Sequence, residues 1–110
     1  MCDMIKEVKI FQIKETTENI AFLFCNFDFC NRYGFKVKRE NYHCVYDGEI
    51  KEDTTLNDIF YRFNAEIPLN FKGHSLSVSD VIEIHDMETD TSQFWFVDSI
   101  GFKEVEDFLS

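Results

Sequence analysis

The stretch that decides the fold runs from Leu56 to Phe102 and reads LNDIFYRFNAEIPLNFKGHSLSVSDVIEIHDMETDTSQFWFVDSIGF. It opens with four apolar residues at helical spacing, which predict one buried stripe on an amphipathic helix: Leu56, Ile59, Phe60 and Phe63. Thr54 or Thr55 can cap this helix, and Asn64 can end it. Thr55 with Asp58 resembles a capping box, in which the two residues exchange hydrogen bonds.

Two apolar strands follow the helix, Asp80–His85 and Phe94–Asp98. The ten residues GHSLSVSDVI, Gly73–Ile82, lead the chain into the first of them. The polar stretch Asp86–Ser92 predicts a hairpin between the strands, although it is long for one. Because alternate strand residues point to opposite faces, we expect one shared core containing Phe60, Phe63, Ile82, Ile84 and Trp95.

Three more strands and a second helix are predicted in the N-terminal half. The strands are Glu7–Lys14, Ile20–Phe24 and Tyr42–Tyr46, and we expect the second to pair with the first. The helix covers about two turns, Phe27–Tyr33, with Asn26 as its N-cap and Gly34 as its left-handed stop. Asp47-Gly48 predicts a turn after the third strand.

These elements predict a single α+β domain spanning residues 1–110. Its sheet is mostly antiparallel, with about five strands, and carries two short helices. The C-terminal stretch from Gly101 to Leu109 predicts a short strand or a helical turn. Hydrophobic residues make up 45% of the chain, enough for a packed core.

Carboxylates dominate the charge, with 21 Asp and Glu against 11 Lys and Arg and a formal net charge of -10. A chain of this charge is repelled by nucleic acid and steered towards basic surfaces. The one basic cluster is too thin to predict direct nucleic-acid binding: Arg32, Lys36, Lys38 and Arg39. The same charge can also serve solubility alone.

The four cysteines, Cys2, Cys25, Cys30 and Cys44, show no C-x-x-C spacing, so zinc-finger and thioredoxin-like sites are not predicted. Three of them lie beside aromatic or apolar residues and are expected to fill the core. With no secretory signal or long apolar span, we expect a cytoplasmic protein with reduced thiols and no membrane contact.

The run after Gly73 raises the question of a serine nucleophile. His74 could act as base, Asp80 or Asp98 as orienting acid, and three serines are candidates: Ser75, Ser77 and Ser79. No nucleophile-elbow pattern is present. We therefore expect the serines to form an exposed face, Asp80 to bind turn amides, and Gly73 to supply a positive φ.

A metal site is not predicted either. His43, Cys44, His74 and His85 could ligate a metal, and His43 and His85 could meet across a sheet, but their spacings match no known pattern. No catalytic residue and no cofactor is predicted.

Two groups of carboxylates are candidates for binding a partner, one at the start of the Leu56 helix and one on the hairpin. On a strand, alternate carboxylates lie roughly 6.6 Å apart and can line a ridge, whereas those near a helix start can instead complement the helix dipole. The predicted partner-binding residues are Glu52, Asp53, Glu83, Glu88 and Asp90.

Several segments resemble the YodL-like domain, which occurs in small proteins and in polyvalent proteins of Firmicute mobile elements. They are Asp58-Ile59-Phe60, Phe63-Asn64, Pro68, Phe71–Ile82 and Val97–Phe102. The resemblance is strongest from Tyr42 to Phe108. It implies a domain without established catalytic activity and carries over no catalytic residue. The hairpin, with Met87–Thr91, departs from the shorter, glycine-containing one of the family.

We therefore expect a non-enzymatic protein-binding module of mobile-element origin. It would be an acidic inhibitor of a host or defence protein with a basic surface, of the anti-restriction or anti-CRISPR type. The alternative is a regulatory module that binds a host cytoskeletal or replication protein through apolar contacts. An enzyme of unknown class is a third interpretation.

Overall fold

The computed structural model describes residues 5–109. The strands are β1 (Ile5–Ile13), β2 (Tyr42–Lys51), β3 (Val81–Asp86), β4 (Thr91–Val97) and β5 (Phe102–Glu104). The helices are α1 (Phe27–Arg32) and α2 (Leu56–Ala65), with short 3-10 turns at Ile20–Phe22 and Arg39–Asn41. All pairings are antiparallel and the sheet order is β2-β1-β3-β4-β5, which confirms the predicted α+β class.

Strand β1 is apolar on both faces. Val8 and Ile10 lie on one face and Phe11 and Ile13 on the other, and all four are buried. A strand of this kind needs cover on both sides, because alternate side chains point in opposite directions. The sheet therefore separates two cores, where the sequence had predicted one.

The first core lies between the sheet and α2. Ile59 and Phe63 of α2 pack with Ile82 and with Leu76 of the segment before β3, as predicted for this side of the sheet. Ile84 and Trp95 are half-buried at the edge of this core. The prediction that Phe60 is buried with them is wrong: Phe60 is 37% exposed and meets the ring of Phe102 at the rim.

The second core covers part of the opposite face. It is formed by the segment between β1 and β2 and by the C-terminus, which contribute Cys30, Phe35, Val37, Val105 and Phe108. Phe108 is fully buried and its ring lies 5.4 Å from that of Phe11. The C-terminal stretch does contain a short strand, β5, before Phe108 closes this core.

The predicted strand Ile20–Phe24 is wrong. Both sides of β1 are occupied, by β2 on one and by β3 on the other, so no edge is left for a further strand. The segment forms a 3-10 turn instead, and the ring of Phe22 stacks on Phe35 at 4.9 Å.

The predicted turn at Asp47-Gly48 is also wrong, because β2 continues through it to Lys51. Gly48 pairs with Val8 across the ladder, and a Cβ at this position would meet the ring of Tyr46. The glycine here makes room for a side chain and does not end the strand.

The predicted caps at the starts of α1 and α2 are confirmed, whereas the predicted end of α2 at Asn64 is not, since the helix runs to Ala65. Asn26 caps α1 by accepting a hydrogen bond from the Phe29 N–H at 2.9 Å, and Gly34 follows with φ of 82°. In α2, Thr55 and Asp58 exchange the two capping-box hydrogen bonds at 3.0 and 3.1 Å. Asn64 lies inside α2, and its amide donates to the carbonyls of Phe60 and Leu76.

Among residues 5–109, no helix has the length and hydropathy needed to cross a membrane. Of the cysteines within this range, Cys30 is buried, Cys25 is half-buried and Cys44 is exposed, and all three are free thiols. Cys30 fills the core as expected, and burial raises its pKa to about 11. Cys44 does not, because it lies on the exposed edge strand β2. Cys2 lies outside the described residues.

The two phenylalanines of α2 give a direct test of the core assignment. Phe63→Ala should lower the free energy of unfolding by about 3–5 kcal/mol, because it leaves a cavity in the first core. Phe60→Ala should cost about 1 kcal/mol, since its ring is at the rim. Urea denaturation of both variants measures the difference, and equal losses would contradict the placement of the two rings.

Candidate functional site

The predicted partner-binding carboxylates lie at one end of the sheet. Lys6 of β1 pairs with both Ile50 of β2 and Asp86 of β3, so the turn after β2 and the hairpin after β3 project at the same end. We call this the acidic end and define it by the predicted set of Glu52, Asp53, Glu83, Glu88 and Asp90. Glu52 and Asp53 are on the first turn, Glu88 and Asp90 are on the second, and all four are exposed.

The sheet face next to the hairpin is not covered by the second core. On this face, the last apolar side chains towards the hairpin are Val81 of β3 and Phe94 of β4. The next side chains on the same face of these strands are polar. Polar and charged side chains line a depression of about 220 Å³ there: Glu7, Lys9, Glu83, His85 and Ser92. The carboxylate of Glu83 thus belongs to an open sheet surface that continues into the hairpin.

A chain of hydrogen bonds joins four side chains of this surface. Ser92 Oγ donates to Glu83 Oε2 at 2.8 Å and lies 2.7 Å from His85 Nδ1. On the other side of the ring, His85 Nε2 is 3.1 Å from Asp90 Oδ1. Since Ser92 gives its only proton to Glu83, it must accept one from His85.

This series of hydrogen bonds contains the residue types of a hydrolytic triad, but the serine donates its proton to a different partner. A serine nucleophile must give its proton to the histidine, whereas Ser92 gives its proton to Glu83. Sequence reasoning missed the arrangement, because the four residues come from two strands and a turn. The signal was present in the alternation: Glu83 and His85 lie on the same face of β3, and Ser92 is directly opposite His85.

Among the described residues, no lysine or arginine side chain lies within 4.0 Å of a carboxylate of the acidic end, although Lys9 is opposite Glu83 across the ladder and Asp90 contacts His85. Within residues 5–109, Lys38–Asp107 is the one Lys–carboxylate or Arg–carboxylate pair closer than 4.0 Å, and it lies elsewhere. Its contact with Lys38 lowers the pKa of Asp107. The exposed carboxylates of Glu52, Asp53 and Glu88 therefore present their negative charge to solvent.

A second polar cluster lies beneath the segment Gly73–Asp80. The amide of Gln12, 2% exposed, donates to the His74 carbonyl at 2.7 Å and to Asp80 Oδ2 at 3.1 Å, and it accepts from the His74 N–H at 3.2 Å. Asp80 Oδ2 also accepts from the Ser77 N–H at 2.9 Å. The buried side-chain amide of Gln12 in β1 thus holds in place the loop that precedes β3.

The histidine and the aspartate of this cluster are adjacent but not hydrogen-bonded. His74 Nε2 and Asp80 Oδ1 are 4.0 Å apart, beyond hydrogen-bonding distance, and both atoms are buried without a partner. His74 Nδ1 lies 2.8 Å from the Ser75 carbonyl, so Nδ1 carries the proton there. Burial raises the pKa of Asp80 well above its usual range, against the opposing effect of the Ser77 and Gln12 hydrogen bonds.

Two serines of the run bind backbone groups through their hydroxyls, and neither hydroxyl is hydrogen-bonded to His74. Ser77 Oγ donates to the Ser75 carbonyl, and Ser79 Oγ accepts from the Phe24 N–H at 3.1 Å. The prediction of an exposed serine face is wrong: Ser75 and Ser77 are half-buried, and Ser79 is fully buried with φ of 84°. The predicted binding of a turn amide by Asp80 is confirmed.

The predicted reason for Gly73 is wrong as well. Gly34 and Gly101 are the glycines with positive φ, and Gly73 is not among them. A Cβ on Gly73 would instead collide with the side-chain amide of Gln12 and touch Val45. Glycine is required here because the loop runs directly against the buried amide.

His43 and His85, which could have met across the sheet, do not come together. His43 lies opposite Gln12 and His85 opposite Glu7, so they are at different ends of β1 and on different sides of it. Within the part of the chain that the structure describes, no three potential ligands come together.

Substituting Gly73 tests whether the loop backbone packs directly against the side-chain amide of Gln12. Gly73→Ala should lower the free energy of unfolding by about 1–3 kcal/mol, because the new methyl group must displace a triply hydrogen-bonded amide. Ser75→Ala, whose hydroxyl is not part of this network, should change it by about 0.5 kcal/mol or less. Thermal and urea denaturation measure both. If Gly73→Ala left the free energy of unfolding unchanged, the packing of Gly73 against Gln12 would be contradicted.

Asp80 should make stability depend on pH. Its pKa is raised in the folded state, so the folded protein holds the proton more tightly than the unfolded chain. Stability should therefore fall as pH rises from the ordinary carboxyl range towards neutrality. Asp80→Asn keeps an oxygen for the two accepted bonds and removes the titration, so it should flatten this fall. The urea midpoints of the wild type and of Asp80→Asn are compared at pH 4 to 7. If both midpoints changed with pH in the same way, the pH dependence could not be assigned to Asp80.

A comparison with protein-family models finds the YodL-like domain over residues 7–108 of the 110-residue chain. The match includes all of β2 to β5, both helices and both polar clusters. No significant match is found among curated proteins or among solved structures. Since the family model covers nearly the whole chain, this protein is a member of the YodL-like domain family.

Proposed function

We propose that this protein is a non-enzymatic binding module that docks its acidic end on a basic surface of another protein. The observation that carries the proposal is the open half of the sheet, where the polar surface around Glu83 continues into the exposed carboxylates of the hairpin. An uncovered sheet face bordered by carboxylates that have no lysine or arginine of residues 5–109 within 4.0 Å is complementary to a surface rich in lysine and arginine.

The kind of partner follows from this charge. Surfaces rich in lysine and arginine are typical of proteins that bind nucleic acid, because they neutralise phosphates. A module that covers such a surface competes with the nucleic acid for it. The proposed role is therefore inhibition of a host or defence protein, of the anti-restriction or anti-CRISPR type. Mobile-element origin belongs to the same proposal, as what the resemblance to the YodL-like domain implies.

The proposal involves no chemical step. The hydroxyls of Ser77 and Ser79 bind backbone groups, and Ser92 donates to a carboxylate, so each of these serines is used in a structural contact. Asp80, the carboxyl with the raised pKa, is fully buried and holds the loop through Ser77 and Gln12.

Docking through apolar contacts at the other end of the sheet is the alternative. Phe24, 57% exposed with φ of 65°, lies there with its ring 5.0 Å from that of His74. Phe29 and Tyr33 of the α1 segment are also exposed. The two modes respond differently to salt: electrostatic association weakens with ionic strength, whereas apolar contacts do not.

Neutralising the hairpin tests the proposal. The triple variant Glu83→Gln/Glu88→Gln/Asp90→Asn should associate more slowly with a partner captured from the host, and its affinity should depend less on salt. Exposed charge pairs contribute about 0–1 kcal/mol each, so the three changes are combined in one variant. A second variant adds Glu52→Gln/Asp53→Asn to these three changes. Association rates at low and high salt give the readout.

The matched control removes three exposed carboxylates at the opposite end of the sheet, Glu15→Gln/Glu18→Gln/Glu40→Gln. It changes the net charge by the same amount and should reduce association less than the hairpin variant does. Equal effects of the two variants would assign the attraction to net charge alone. Unchanged, salt-independent binding by both would overturn the proposal and favour the exposed aromatic residues.

A further inference from the structure

A groove of about 630 Å³ lies beside the acidic end, between α2 and the ends of β1 and β2. Two of its lining side chains are apolar or aromatic and yet well exposed: Ile5 at 42% and Tyr61 at 64%. The buried residues Ile59 and Phe63 of α2 also border it, where the first core reaches the surface. A volume of this size accommodates one or two bulky side chains.

Charged groups surround this apolar groove. Glu49, Asp58 and Glu66 line it together with Lys51 and Arg62, and the turn with Glu52 and Asp53 joins β2 to α2 at its margin. Carboxylates thus outnumber cations among the charged groups in and around the groove. The capping hydrogen bonds from Thr55 lower the pKa of Asp58, which keeps its carboxylate charged.

Of the two cations, Arg62 is directed towards an aromatic ring. Its guanidinium lies 5.7 Å from the centre of the Phe63 ring. Neither Lys51 nor Arg62 forms an ion pair within 4.0 Å with any carboxylate among residues 5–109. The carboxylates of the groove therefore remain available to cations from outside the chain.

We propose that this groove binds a segment of the partner in which a bulky aliphatic or aromatic residue is flanked by lysine or arginine. The apolar side chain would enter between Ile5 and Tyr61, while the flanking cations would meet Glu49, Asp58 and Glu66. The proposal rests on the proposed function and adds to it an apolar anchor, since surface charge pairs by themselves contribute little affinity.

Charge complementarity selects this occupant over the alternatives. A second copy of this chain would bring a net charge of -10 to a groove that already has an acidic margin. A purely apolar segment would leave the three groove carboxylates without a counter-charge. A basic segment without a bulky side chain would leave Ile5 and Tyr61 exposed to water.

A library of random dodecapeptides, displayed on phage and selected on the full chain, is the probe. Enriched peptides should combine one bulky apolar residue with neighbouring lysine or arginine. A synthetic enriched peptide should bind about tenfold more weakly to Tyr61→Ala and to Ile5→Ser than to the wild type, as for the loss of an aromatic anchor. It should also shift the NMR signals of α2 and of the end of β2.

Tyr33→Ala is the matched control, because Tyr33 is exposed to 61% on the α1 side of the molecule and lies outside the groove. It should bind the peptide as the wild type does. Replacing the apolar residue of the peptide by serine, at unchanged charge, should cause the same loss as the groove substitutions. Circular dichroism and thermal denaturation of each variant verify that the fold is kept.

The outcomes separate the two proposals. If the triple hairpin variant weakens partner association while Tyr61→Ala and Ile5→Ser bind like the wild type, the groove proposal fails and the acidic docking stands. If the groove variants lose affinity for both peptide and partner and the hairpin variant does not, the groove stands and the role of the hairpin fails. Absence of enriched peptides, enrichment without an apolar residue, or self-association that Tyr61→Ala abolishes would each overturn the groove proposal.

Discussion

The burial of β1 on both faces is the constraint from which the rest of the architecture follows. Val8 and Ile10 require a layer on one side, and Phe11 and Ile13 require one on the other. The chain provides α2 with the loop before β3 for the first side, and the segment between β1 and β2 with the C-terminus for the second. With β2 and β3 on its two edges, β1 has no free edge left for another strand.

Gln12 is the polar exception in this central strand, and it connects the sheet to the GHSLSVSDV run. A buried amide must have its hydrogen-bonding groups satisfied. Gln12 achieves this through His74 and Asp80, and the same contacts require a glycine at position 73. The motif is therefore an architectural element: its loop binds the centre of the sheet and sets the start of β3.

The second core extends over only part of its sheet face, and this asymmetry creates the open polar surface. Beyond Phe94 the side chains on that face are polar, and they connect through His85 to the hairpin. On this face of the sheet, the apolar cover and the polar surface thus lie at different ends of the strands. A partner that binds the acidic end need not disturb either core.

The sequence alone was sufficient for the features that depend on local geometry. Helix α2 with its Thr55–Asp58 capping box, the cap of α1 at Asn26, and the alternating faces of β1, β3 and β4 follow from periodicity and capping chemistry. The family could also be inferred from the sequence, because its motif is a continuous run of residues. The five acidic candidates could be named, but not placed at one end of the sheet.

Tertiary structure decided what depends on residues distant in sequence. Ile20–Phe24 has the composition of a strand, but the edges of β1 are taken by residues that come much later in the chain. Phe60 fits the apolar stripe of α2, but in the folded chain it lies at the rim of the first core, against Phe102. The role of Gly73 depends on Gln12, 61 positions earlier, and the contact of Ser92 with His85 depends on strand register. These interactions are pairwise and long-range, so no local pattern specifies them.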